Sequence, residues 1–88
     1  MNQLPIKPNP QPQLATLCCT VIASQGLLKR VQPNRQSALI NPPLSYGEHV
    51  CFIGIVTTGE PVNGNPRWGH YKSGAEEFYF WMGGTDWG

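Results

Sequence analysis

Charge is scarce in this chain. Only 12% of its 88 residues are Asp, Glu, Lys or Arg, and they nearly cancel, to a net +1. A basic field able to hold nucleic acid or an anionic membrane surface is therefore not expected. Long apolar runs are lacking as well. Leu14 to Ala23 is apolar, but it contains two Thr and two Cys and is too short to span a bilayer. Met1-Asn2-Gln3-Leu4-Pro5-Ile6-Lys7-Pro8 lacks the basic flank and apolar stretch of a secretory leader. Ala15-Thr16-Leu17 before Cys18 makes a poor lipoprotein cleavage site. These absences predict a soluble chain without membrane insertion, cytoplasmic or phage-encoded, or a fragment of an exported protein. No helical period survives beyond one turn, and no internal repeat is visible. No Cys-x-x-Cys pair occurs, and His49 and His70 are not at ligand spacing. No metal or other cofactor is therefore expected.

What the chain does contain is punctuation. Ten glycines and nine prolines exceed a fifth of the residues, which favours short strands and tight turns. Residues 1–13 hold four prolines, three glutamines and two asparagines and predict an extended tail or linker. Residues 14–88 then form one small domain. A first strand is expected over Leu14 to Ala23, and a short extended piece from Gly26 to Val31. A strand at Ala38-Leu39-Ile40 follows, turned by Asn41-Pro42-Pro43, with Leu44 plugging the core. Tyr46-Gly47-Glu48 reads as a turn. Val50 to Thr58 is the longest β-type stretch, and Gly54 within it marks a bulge or bend. Asn63-Gly64 suits the positive φ of a tight hairpin. Arg67 to Lys72 and Phe78 to Met82 form a last strand pair, joined by a polar turn from Ser73 to Glu77. The expected fold is all-β: a small barrel of five to six short strands, closed so that no sheet edge is left bare.

Three cysteines are an odd number. Cys18 and Cys19 alternate on a strand, so both cannot face Cys51. The expectation is three buried thiols, with one pair, Cys51 and either neighbour, geometrically possible. Cys51 and His49 share a strand face, but no oxyanion-hole motif accompanies them. Glu76 and Glu77 lie in a predicted turn facing solvent. No nucleophile with its base, carboxylate pair or metal set emerges, so the chain is expected not to be an enzyme.

Large aromatics crowd the last third. Alternation puts Phe78 and Phe80 on one face of the final strand and Tyr79 and Trp81 on the other. One face must line the core. The other, with Trp68 or Tyr71, and with Tyr46 and Trp87 if the barrel ends meet there, is the candidate ligand-binding surface.

From about Ala23 to Asp86 the sequence resembles the bacterial SH3-like domain. The likeness rests on Gly26-Leu27-Leu28-Lys29-Arg30-Val31-Gln32-Pro33-Asn34, on Leu39-Ile40 followed by Leu44 and Tyr46-Gly47, and on Val50-Cys51-Phe52-Ile53-Gly54. Val62-Asn63-Gly64-Asn65-Pro66-Arg67-Trp68 and Phe80-Trp81-Met82-Gly83-Gly84 complete it. Lys29 stands where that family has a small apolar residue and Gln32 where it has glycine. Gly69-His70 separates the tryptophan from Tyr71-Lys72, which leaves open whether Trp68 or Tyr71 points outward. The resemblance implies an SH3-like barrel serving as a non-catalytic binding module for an extended ligand such as a cell-wall peptide or glycan. The alternative it allows is a structural or protein–protein interaction subunit of a larger assembly, a phage particle or a bacterial enzyme complex.

Overall fold

The structure, a computed structural model, describes residues 17–88. The tail expected over 1–13 and the start of the first expected strand, 14–16, lie outside the described residues. Seven strands follow in order: β1 (Leu17–Thr20), β2 (Leu27–Arg30), β3 (Leu39–Leu44), β4 (His49–Phe52), β5 (Gly54–Val56), β6 (Trp68–Ser73) and β7 (Glu76–Trp81). A 3-10 turn at Met82–Gly84 ends the series. Among the described residues no helix is long and apolar enough to cross a membrane.

The fold is all-β, but it is not one closed barrel. The strands form two sheets, β1-β4 and β3-β2-β7-β6-β5. The expectation of five or six strands closed on themselves is thus corrected, and the long stretch Val50 to Thr58 is the reason. It breaks at Ile53, next to Gly54, into β4 and β5. The first half pairs with β1 and the second with β6. Ile53 N–H donates to His70 O at 2.9 Å and ties the two sheets together at this corner. Gly54 marks the bend, as its mid-strand position predicts.

The other edge of β1 is covered by the C-terminal segment. Asp86 N–H donates to Thr20 O (2.9 Å), Thr20 N–H donates to the Asp86 carboxylate (2.8 Å), and Ile22 N–H donates to Gly84 O (2.9 Å). Thr85 is fully buried, yet its hydroxyl donates to Met82 O and accepts from Trp87 N–H. A buried hydroxyl satisfied in this way stabilises the junction.

The core consists of Cys19, Val21, Leu27, Leu44, Val50, Phe52, Phe78, Phe80 and Met82. Phe52 and Phe80 meet edge to face at 5.3 Å. Leu44 is buried as expected, but Asn41-Pro42-Pro43 does not turn the chain: β3 runs through it. Proline lacks a ladder N–H and is tolerated here because β3 lies at the edge of its sheet. The β6–β7 hairpin is longer than expected. Its pairing runs from Trp68↔Trp81 to Ser73↔Glu76, so Glu76 and Glu77 belong to β7 and only Gly74-Ala75 turns. Gly69 fits this register because Phe80 lies across it, where a Cβ would run into the ring. Asn63 (φ 51°) and Gly64 (φ 80°) make the expected tight turn, closed by Val62–Asn65 hydrogen bonds of 2.9 and 3.0 Å.

Candidate functional site

The corner at Ile53 opens a groove. Among the described residues β4 is paired along one edge only, with β1. β6 pairs with β5 from Trp68 to His70, and beyond that its Tyr71–Ser73 segment pairs with β7 alone. The two strands diverge past Ile53 and flank an open groove of about 830 Å³. Its floor includes Lys29, Val50, Tyr71 and Phe78, and its rims carry Glu48 and His49 on one side and Lys72 and Glu76 on the other. Tyr71 stacks on Phe78 at 4.5 Å with an interplanar angle of 13°.

Lys29 is the unexpected member. Its side chain is 7% exposed, with Nζ 4.8 Å from the Phe78 centroid and 3.6 Å from the Glu76 carboxylate. Glu76 itself is 53% exposed. Burying an ammonium is costly unless partners offset it, and here those partners are a ring face and one wet carboxylate. Alternation was the available signal: Leu27 and Lys29 share a face of β2, and Leu27 is core.

The opposite face of the five-stranded sheet carries a second aromatic set. Arg30, Tyr79 and His70 lie side by side across β2, β7 and β6. His70 stacks on Tyr79 at 4.4 Å, and its Nε2 lies 2.7 Å from Glu77. That hydrogen bond holds the Glu77 carboxyl below its ordinary value, with the nearby Lys72 charge adding to it. A smaller cleft of about 300 Å³ is lined by Leu28, Arg30, Arg35, Val62, Trp68 and Trp81, among others.

The expected ligand surface does not assemble as one patch. Trp68 is 2% exposed and its Nε1–H donates to Glu60 O at 2.8 Å, so it is a ring buried under the Glu60 loop and not an outward one. The loop over it is clamped by Arg35, whose guanidinium forks onto the Glu60 carboxylate at 3.2 Å on both arms. The Arg35 hydrogen bonds lower the Glu60 carboxyl's pKa. Tyr71 opposes Phe78 and belongs to the groove, whereas Tyr79 and Trp81 lie half-buried on the other face. The hairpin register decides this, since one residue's step along a strand reverses the face. Trp81 donates its Nε1–H to Asn65 O at 2.9 Å. Tyr46 is exposed at the turn before β4 and lines neither cavity. Trp87 donates Nε1–H to Cys18 O at 2.9 Å and rests edge-on against Phe52, which makes it a clasp for the C-terminal segment.

The cysteines also differ from expectation. Cys18 and Cys51 stand directly opposite across β1 and β4, 4.0 Å apart at Cα, and are joined as a disulfide. Three buried thiols are therefore replaced by one bridge and one thiol. Cys19, one residue along, points into the core, where burial is the main cause pushing its pKa up to about 11; the Asp86 charge adds to the rise and a hydrogen bond with Thr85 opposes it. His49 shares the face of Cys51, as alternation predicts, and the sulfur there is engaged in the bridge.

No protein-family model, curated protein or solved structure matches this chain.

Proposed function

We propose that this protein is a non-catalytic binding module of the bacterial SH3-like kind, holding an extended peptide-bearing ligand, such as a cell-wall peptide, in the groove between β4 and β6. The observation that supports this reading most directly is the pair of strand edges on either side of the groove that have no strand partner among the described residues. An extended backbone entering there gains ladder hydrogen bonds from both sides, the physics of strand addition. The Tyr71–Phe78 stack offers a rigid aromatic floor. Lys29 supplies a positive charge suited to a ligand carboxylate, since a carboxylate there offsets its desolvation better than the wet Glu76 does. The role of chief anchor thus passes from Tyr79 and Trp81 to Tyr71.

The test is co-sedimentation with purified peptidoglycan. The wild-type protein is expected to pellet with it, and Tyr71→Ala to lose most of that binding while keeping its thermal melt. Pelleting no better than an inert control protein defeats the cell-wall reading. A second reading, a docking subunit of a larger assembly, is favoured by exposed Leu28, Val31 and Leu39, which leave apolar surface on and just beyond β2 and on β3. Failure to bind cell wall, together with loss of assembly on Leu39→Glu, would select it.

A further inference from the structure

The outer face of the β1–β4 pair brings three metal-ligating side chains together. Cys18 is opposite Cys51, and Thr20 is opposite His49, so all four residues share one face. The two sulfurs and a ring nitrogen of His49 lie within 4.8 Å of one another. Cys18 and His49 are exposed and Cys51 is half-buried, so the cluster is open to solvent. Thr20 Oγ1 lies 3.4 Å from His49 Nδ1 and steadies the ring, the usual support for a ligating imidazole. The bridge by itself stabilises the strand pair, but it does not call for an exposed His49 beside it, since the inward face is filled by Cys19, Val50 and Phe52.

We infer that Cys18, Cys51 and His49 form a redox-gated site for a thiophilic divalent cation, zinc by preference, closed as a disulfide and opened by reduction. Tetrahedral zinc has bonds of about 2.3 Å to sulfur and 2.0–2.1 Å to nitrogen, which put sulfur–sulfur at ~3.8 Å and sulfur–nitrogen at ~3.6 Å. The cluster holds its atoms within 4.8 Å of one another, so reaching these separations takes parting of the sulfurs and a shift of about an ångström in the imidazole. Two thiolates and one imidazole fill three positions and leave the fourth to water or to a donor from outside the chain. The chemistry balances with a phosphine as reductant. Phosphorus is oxidised to the phosphine oxide with an oxygen from water, the sulfur–sulfur bond breaks, and the two protons of that water appear on the two thiols. Metal binding then releases both thiol protons to solvent. The site borders the groove, since His49 and Cys51 also line its β4 side, but its chemistry does not require the ligand proposed there.

The test titrates Co²⁺, a coloured stand-in for zinc, into phosphine-reduced and into oxidised protein under argon. The reduced protein is expected to bind one Co²⁺ per chain with the absorption of a tetrahedral thiolate complex, displaced by Zn²⁺, and the oxidised protein none. Cys18→Ser and Cys51→Ser should abolish the signal, Cys19→Ala should leave it unchanged, and His49→Ala should weaken affinity by more than ~10-fold. Equal binding by reduced and oxidised protein, or no effect of His49→Ala, overturns the site. Should the reduced chain unfold, recovery of its circular dichroism on adding Zn²⁺ supports the site, and a failure to recover overturns it.

Discussion

Single residues already show how exposure and partners divide chemistry from scaffolding. Cys18 and Cys19 are neighbours with opposite fates, one bridged at the surface and one a core thiol with its pKa raised to about 11. Alkylation by iodoacetamide at pH 8 should modify Cys19 only after denaturation, as followed by intact mass; rapid labelling of the folded protein would contradict its burial. Glu60 and Glu77 make a second case. The Arg35 side chain lowers the pKa of the first and the His70 hydrogen bond lowers that of the second. A carboxyl with a depressed folded pKa binds protons less readily folded than unfolded. Its contribution is therefore present above the unfolded value and lost as pH falls through the folded one. Acidifying from neutrality to about pH 3 should lower the melting temperature less in Glu60→Gln and Glu77→Gln than in wild type. Parallel curves would show that these surface pairs contribute nothing. Neither pairing is legible in the sequence, because Arg35 and Glu60 are distant along the chain and the polar run around Glu77 reads as a turn.

At the scale of elements, the β6–β7 hairpin carries most of what was readable and most of what was not. Its alternation correctly separated Phe78 and Phe80 from Tyr79 and Trp81. The Gly69-His70 insertion left the register of β6 open, and only the pairing of Gly69 with Phe80 fixed it. That packing makes Gly69→Ala a sharp test. The added methyl meets the Phe80 ring, and overpacking of this kind costs about 1–3 kcal/mol, or ~4–8 °C in melting temperature per kcal/mol for so small a domain. An unchanged melt would mean that the hairpin is looser than it looks. Gly64→Ala tests the tight turn separately. With φ at 80°, an L-residue there should cost about 1–2 kcal/mol, whereas Gly64→Asn should be milder because Asn tolerates this region. That turn was visible beforehand, since its geometry demands particular residues. The run of β3 through Asn41-Pro42-Pro43 was not, since whether proline ends a strand depends on which edge of the sheet it occupies.

For the whole molecule, the decisive feature is that two sheets meet at a corner and stay open. A chain of this size buries little surface and has thin stability, so the Cys18–Cys51 bridge between β1 and β4 matters out of proportion. It spans a sequence separation of 33, and closing such a loop is worth about 3–4 kcal/mol. Reduction should therefore lower the melting temperature markedly, as calorimetry with and without reductant would register, and added Zn²⁺ should restore part of the loss. No shift on reduction would place the bridge outside the fold's stability altogether. The groove belongs to this scale too. The aromatic pattern points to Tyr71 as a candidate, but it gives its floor partner Lys29 only as a departure from an apolar position.

Local rules of backbone and alternation were enough to establish the all-β class, the bend at Gly54, the Asn63-Gly64 turn and the shared face of Phe78 and Phe80, because each depends on residues within one strand or turn. Tertiary structure alone decided that the stretch Val50 to Thr58 serves two sheets, that Trp68 is buried under a loop and Tyr71 faces a groove, and that Cys18 rather than Cys19 meets Cys51. Each of those outcomes depends on which strand lies alongside another. That pairing is set by the packing of the whole core, where a single step in register exchanges the buried face for the exposed one.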